Sequence, residues 1–276
     1  MRPSAIATLA TGTVKADLQL FLYSLGLWNK ELPTIYLMCD SEIANEVGSM
    51  GYKGKIVTNV SLNKYAGLTR AQMERMPGVY KHLFFDLCVE KTAVMKWAFE
   101  TAPDGVLYCD CDICFMGPLL EIPETATVAV SHHEIKPRDE ALYGKYNGGV
   151  LWAKDVSSIL TWIHACKTSR FVDQAAIEDM AAAVPAEQLY LIPRTENYGW
   201  WRLWQGVKPP QELAAEWASG AQGITVSGQP LGSVHTHFGE IRDAATREFN
   251  KWVLSLLALD GRPKAKELLT FIRMMF

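Results

Sequence analysis

Two carboxylates interrupt an otherwise apolar stretch, Val106-Leu-Tyr-Cys-Asp110-Cys-Asp112-Ile-Cys-Phe-Met116. Flanks of this kind are drawn into a core, and charged groups among them need a compensating partner. Residues two apart on an extended segment project to the same side, so Asp110 and Asp112 can address one hard cation. The natural ligand of a cation held in this way is a diphosphate. Far along the chain, Ser233-Val-His235-Thr-His237-Phe-Gly239 reads as strand-like with both imidazoles on one face, a pattern suited to contact with a metal or a phosphate. Tyr146-Asn147-Gly148-Gly149-Val150-Leu-Trp152 carries two consecutive glycines into an apolar strand. They weaken it unless a ligand or another backbone approaches closely; a simple bulge is the alternative. Cys109, Cys111 and Cys114 offer a zinc-thiolate reading of the first stretch, but no second Cys pair or Cys/His pair stands at zinc spacing.

The elements that must position these groups follow from the same patterns. Val106 to Cys109 reads as a short buried strand after a Pro103-Asp104-Gly105 turn, with the aspartates at its carboxyl end, where open α/β sheets bind ligands. Upstream come a strand at Ala5 to Ala10, a turn at Thr11 to Thr13 and a helix from Val14 to Leu27. A second strand (Thr34 to Cys39), a short helix (Glu42 to Val47, capped at Asp40-Ser41) and a third strand (Gly54 to Val60) complete an alternation that means parallel strands joined by right-handed crossovers.

Asn63 to Tyr80 is polar and only partly helical, whereas Asp86 to Thr101 predicts a helix leading into the aspartate strand. Thr127 to Val130 reads as a strand, and His132-His133-Glu134 with Lys136 to Gly144 as a polar loop. Asp155 caps a helix to about Lys167, Phe171-Val-Asp173-Gln174 opens another, and Gln188 to Ile192 is a strand. The aromatic segment Thr195 to Gly206, with Tyr198, Trp200, Trp201 and Trp204, closes a core or stacks on a sugar ring. A variable connection with a short helix (Pro209 to Gly228) and two amphipathic helices between Arg247 and Phe276 finish the chain.

The 276 residues are 49% hydrophobic and 21% charged, which excludes wholesale disorder and predicts one large domain with a sizeable core. A formal charge of -3 gives no reason to expect nucleic acid as a partner. The six cysteines lie mostly inside apolar runs and read as reduced, buried thiols. No continuous run of about 20 apolar residues occurs, which predicts a soluble, cytoplasmic protein. The greasy C-terminal end leaves contact with a membrane surface as a secondary reading.

Taken in order, these pieces resemble a GT-A-fold glycosyltransferase, and in particular the glycogenin-like glycosyltransferase family 8, over most of residues 5 to 240. Ala7-Thr8-Leu9-Ala10-Thr11 is similar to the family's first strand and nucleotide-binding turn, and Lys91 resembles a lysine placed near the donor. Asp110-Cys111-Asp112 resembles its metal motif, Asn147-Gly148-Gly149-Val150 its Asn-(Ser/Gly)-Gly-Val strand, and Asp173-Gln174 its pair near the donor sugar. His237-Phe238 resembles its late metal-binding histidine. Lys15 stands where the family commonly has an aromatic residue beside the base, and Gly239-Glu-Ile-Arg242 replaces its Lys-Pro-Trp, with Arg242 in the lysine's place.

The resemblance implies an α/β fold of the GT-A type, a single Rossmann-like domain with a mixed central sheet over residues 1–243 and helices over 244–276. It implies transfer of a hexose from a nucleotide-diphosphate sugar, UDP-galactose or UDP-glucose, to a carbohydrate acceptor. Mn²⁺, or Mg²⁺, would be held by Asp110, Asp112 and His237, with His235 behind the ligand or on phosphate. The donor would lie against Thr8, Leu9, Ala10, Thr11, Lys15, Lys91, Asp110, Cys111, Asn147, Gly148, Gly149 and Arg242. Asp173 and Gln174 would address the sugar, and Asp173, Glu178 and Asp179 are the carboxylates to consider as a base. An Asp-x-Asp phosphohydrolase and a non-catalytic glycan-binding domain are the rival classes; the first usually has its motif near the start of the domain.

Overall fold

The structure, a computed structural model, describes residues 1–102 and 104–276, so Pro103 of the expected turn lies outside the described residues. The chain opens with β1 (Ala5–Ala10), α1 (Lys15–Trp28), β2 (Thr34–Cys39), α2 (Ser41–Glu46) and β3 (Ile56–Val60). The short α3 (Arg70–Met73) and the long α4 (Leu83–Ala98) lead into β4 (Val106–Cys109) and β5 (Ile113–Phe115). Next come β6 (Val128–His132), α5 (Pro137–Tyr143), β7 (Tyr146–Ala153), α6 (Val156–Cys166), α7 (Ile177–Ala182) and β8 (Leu189–Ile192). The last part holds β9 (Tyr198–Gly199), α8 (Trp201–Trp204), α9 (Pro210–Ala215), β10 (Trp217–Gly220), β11 (Gly223–Val226), β12 (Gln229–Pro230), β13 (Ser233–His235), α10 (Ala244–Leu259) and α11 (Pro263–Met275).

Seven strands form the central sheet in the order β3-β2-β1-β4-β7-β6-β8. It is parallel from β3 to β4 and between β6 and β8; β7 runs antiparallel to both β4 and β6. Both faces are covered, which is why β1 and β4 read as continuous apolar runs rather than alternating ones. Ala5, Ala7, Leu9, Val106 and Tyr108 enter the core under α4, α6 and α7, whereas Ile6, Ala10, Leu107 and Cys109 enter the core under α1 and α2. Burial of such side chains contributes on the order of 25 cal/mol per Å² of apolar area.

A third core lies on the outer side of α1, built from α10, α11, the β10-β11 hairpin and a small sheet ordered β5-β13-β9. That small sheet positions the site. β13 pairs antiparallel with β5, and His235 stands opposite Ile113, just beyond the aspartates.

Asp40 and Asp155 cap α2 and α6 through the backbone N–H groups of Ile43 and Ser158, as the sequence indicates. Other boundaries differ for local reasons. α4 begins at Leu83 rather than Asp86 because the His82 Nδ1 accepts the Phe85 N–H at 3.1 Å. The Asp86 carboxylate instead accepts from Val79 and Tyr80. Lys136 to Gly144 is not a loop but contains α5, started by Pro137 and stopped at Gly144, whose φ of 103° is open to glycine. The variable connection after Pro209 contains the β10-β11 hairpin as well as α9. Among the described residues, no helix is long and apolar enough to cross a membrane.

Candidate active site

A cleft of about 740 Å³ opens at the carboxyl ends of β1 and β4. Leu9, Ala10 and Thr11 line one side, and Lys91, Asp110, Cys111 and Asp112 lie along its floor. The backbone N–H of Asp110 donates to the Gly149 carbonyl at 2.8 Å, so β7 fixes the start of the aspartate turn. Strand alternation places Asp110 on the same side as Tyr108, whose hydroxyl donates to Asp110 Oδ1 at 2.6 Å. From α4, Lys91 Nζ reaches Asp110 Oδ1 at 3.0 Å and the Gly148 carbonyl at 3.0 Å, and stands 3.8 Å from Asp173 Oδ2. Burial disfavours the ammonium charge, but the carboxylates of Asp110 and Asp173 outweigh it and raise the Lys91 pKa.

Asp112 is flanked by two imidazoles. His235 Nε2 is 3.2 Å from its Oδ1 and 3.7 Å from Asp110 Oδ2; His237 Nε2 is 3.4 Å from its Oδ2. Burial acts to raise the Asp112 pKa, yet the neighbouring His235 and His237 hold the carboxyl below the usual carboxylate range. Asp112, acting against burial and assisted by Asp17, pushes the His237 imidazole up to about 10. Ligand atoms of Asp110, Asp112 and His235 lie within 4.8 Å of one another. His235 Nδ1 meets the Asn197 Oδ1 at 3.0 Å. An amide oxygen only accepts, so Nδ1 carries the proton and Nε2 is the nitrogen turned to the aspartates. Asn197 is itself fixed by donating to Ser131 Oγ and Asn147 Oδ1. Two carboxylates and an imidazole with its far nitrogen anchored form a donor set that fits a divalent transition ion.

The glycines of β7 have two separate reasons. The register with β6 steps from Val130–Leu151 to Ser131–Asn147, so Gly148 to Val150 form a bulge. A Cβ on Gly149 would lie 2.2 Å from the His235 ring, so Gly149 clears space for that imidazole rather than for a backbone. A Cβ on Gly148 would lie 3.1 Å from Asp173 Oδ2.

Asp173 is 2% exposed, its Oδ2 has no hydrogen-bond partner, and burial, opposed by Lys91 and reinforced by Asp110, pushes its pKa up to about 6. The Gln174 amide is already engaged, donating to the Tyr143 carbonyl at 2.7 Å and accepting from Asn147 and Gly148. Other residues named by sequence lie elsewhere. Glu178 is tied to Arg170 at 2.8 Å and to the Lys145 N–H, Asp179 is exposed, and neither lines the cleft. Lys15 turns outward to Glu42 and Glu46, and Thr8 is fully buried beneath the cleft. Arg242 lies on the rim. Cys109 and Cys111 enter the core under α1 while Cys114 enters the third core, so the three thiols do not converge as zinc ligands would.

The family resemblance gives His237 the ligand role and His235 the place behind it; here His235 makes the closer approach to both aspartates. β13 ends at His235, which makes it part of a paired strand, whereas His237 follows the strand and is half-exposed. The sequence reading missed Tyr108, Asn197 and Asp17. Alternation back from Asp110 points to Tyr108. Asn197 hides in an aromatic segment, and Asp17 looks like an ordinary acid in the first turn of a helix.

No protein-family model and no curated protein matches the sequence. Solved structures do resemble the fold. The glycosyltransferase GlyE of Streptococcus pneumoniae TIGR4 superimposes with a TM-score of 0.57 at 13% identity, over 100% of this chain and 64% of that one. The chain has a GT-A-type glycosyltransferase fold. The apo form of GlyE matches equally, over 99% of this chain. Mouse xyloside xylosyltransferase 1 in its apo form aligns with 72% of this chain and 89% of its own at 14% identity and a TM-score of 0.50. At these identities the likeness is one of fold, and the chain spans about two thirds of the GlyE length, 64%.

Proposed function

We propose that the chain is a metal-dependent glycosyltransferase that moves a hexose from a nucleotide-diphosphate sugar to a carbohydrate acceptor. The observation that carries this reading is the convergence of Asp110 and Asp112, which line the cleft, with the buried His235, in a fold shared with glycosyltransferases. Asp110, Asp112 and His235, with His237 beside them, would hold Mn²⁺ or Mg²⁺, which when bound would act as a Lewis acid on the departing diphosphate. Leu9 to Thr11 would lie along the nucleotide, and Arg242 at the rim supplies a charge of the sign a diphosphate needs. Lys91 holds Asp110 in place and lies beside Asp173.

Asp173 would be the group addressed to the sugar: it lies behind the cleft lining, buried beside Gly148 and Lys91, with Oδ2 lacking a hydrogen-bond partner. Its carboxylate would take a donor hydroxyl and so discriminate between epimers, with galactose or glucose as the favoured sugars. With its other oxygen pattern fixed by Tyr108 and Lys91, Asp110 is a poor candidate for the free nucleophile that a phosphohydrolase requires.

The test is a thermal-shift and hydrolysis screen of UDP-, GDP- and dTDP-sugars with Mn²⁺ and in chelator. A UDP-hexose should raise the melting temperature by mass action and be turned over only with metal. Stabilisation by GDP-sugars alone would replace the base while leaving the class, and no response to any nucleotide would refute the class.

A further inference from the structure

Asp17 lies in the first turn of α1, shortly after Thr11, and lines the cleft. Its side chain is 13% exposed, and Oδ2 stands 2.9 Å from His237 Nδ1. Among the described residues, this is the one hydrogen bond its carboxylate makes. Its carboxylate is partly buried, with the imidazole as its single partner.

The chemistry of the pair follows from its atoms. A carboxylate oxygen accepts, so without an ion both nitrogens of His237 face acceptors, Nδ1 towards Asp17 and Nε2 towards Asp112 Oδ2 at 3.4 Å, and a bound ion would take the proton's place on Nε2. His235 repeats the arrangement from the opposite side, with Nδ1 on Asn197 and Nε2 on Asp112 Oδ1. Two imidazoles thus present the same ring nitrogen to the two oxygens of one carboxylate, each with its far nitrogen anchored. The anchors differ. Asn197 is neutral and locked in a buried network, whereas Asp17 is a carboxylate, the kind of partner that fixes an imidazole's orientation and strengthens it as a donor.

Resting on the metal site proposed above, we propose that Asp17 is a positioning residue that makes His237 a second imidazole donor beside His235. The site then offers two carboxylates and two imidazoles. That set favours first-row transition ions over Mg²⁺, which prefers oxygen and keeps its waters. His237, half-exposed at the end of the Asp17 contact, is the arm that completes the donor set from the solvent side.

The experiment uses the purified full chain with Mn²⁺ or Mg²⁺ alone, and requires no substrate. Mn²⁺ binding is measured by calorimetry, and the bound ion's nitrogen couplings are counted by pulsed electron paramagnetic resonance. The native chain should bind Mn²⁺ in preference to Mg²⁺ and show two imidazole nitrogens. Asp17→Ala should keep its near-ultraviolet circular dichroism, lose about 10–100-fold in Mn²⁺ affinity and show one. His237→Ala, at a half-exposed position, serves as the second variant and should match Asp17→Ala; combining the two should add nothing. Two nitrogens retained in Asp17→Ala, or additive losses in the double variant, would overturn the role of Asp17 while leaving the metal site standing. A native chain that binds no divalent ion would overturn both.

Discussion

Lys91 shows how much of this site depends on a single charge. It is the cation between Asp110 and Asp173, and its side chain is only 13% exposed. Removing it would leave the buried Asp173 and the partly exposed Asp110 without their shared cation, the costly half of a broken ion pair. Lys91→Met should therefore lower stability by about 3–5 kcal/mol in urea unfolding without metal. Lys91→Met combined with Asp173→Asn should lose less than the sum of the two single changes, because one of the stranded charges is gone. Additive losses would mean that the two residues do not share their charge. The sequence named Asp110, Asp112 and both histidines through residue type and spacing, and Lys91 and Asp173 through the family resemblance. It could not name Asn197 or Asp17, whose roles exist only through a partner brought from a distant part of the chain.

At the scale of elements, the site depends on the bulge in β7 and on the three-stranded sheet that delivers His235. Gly149 is where the two meet, since any side chain there would strike the His235 ring. Gly149→Ala should cost about 1–3 kcal/mol as an overpacked site and weaken Mn²⁺ binding by moving His235. Gly48→Ala, at a position with nothing within 4 Å, is the control and should change neither. Unchanged Mn²⁺ affinity in Gly149→Ala would show that the imidazole does not need that space. The strands β1, β2 and β4 and the caps at Asp40 and Asp155 were legible because each announces itself locally, through an apolar run or a capping side chain. β5, β9 and β13 were not legible as one sheet. They have two or three residues each, too few for a period, and their pairing is set by the third core rather than by local sequence.

For the molecule as a whole, the third core ties the C-terminal helices to α1 and to the sheet that carries His235, so the stability of this layer bears on the site. Glu196 lies in its connection, with a carboxylate so close to Gly232 that a Cβ there would collide with it. Burial pushes the Glu196 pKa from 4.5 to about 7, and no cation relieves it; Arg194, two residues away, is paired with Glu216. Tyr190 is the other titratable group that feels its charge. The sign follows from proton counting. Between pH 4.5 and about 7 the folded chain holds a proton on Glu196 that the unfolded chain has released. The carboxyl's favourable contribution is complete below the lower value, falls as the pH rises through the window, and is gone above the upper one. Glu196→Gln keeps the shape and removes the titration. It should be more stable than the native chain at pH 8 by about 1–3 kcal/mol, with the advantage shrinking to nothing near pH 4. Urea unfolding of both chains across that range decides the matter, because every other titrating group cancels in the difference, and parallel stability curves would show that the Glu196 carboxyl is not held in a dry environment.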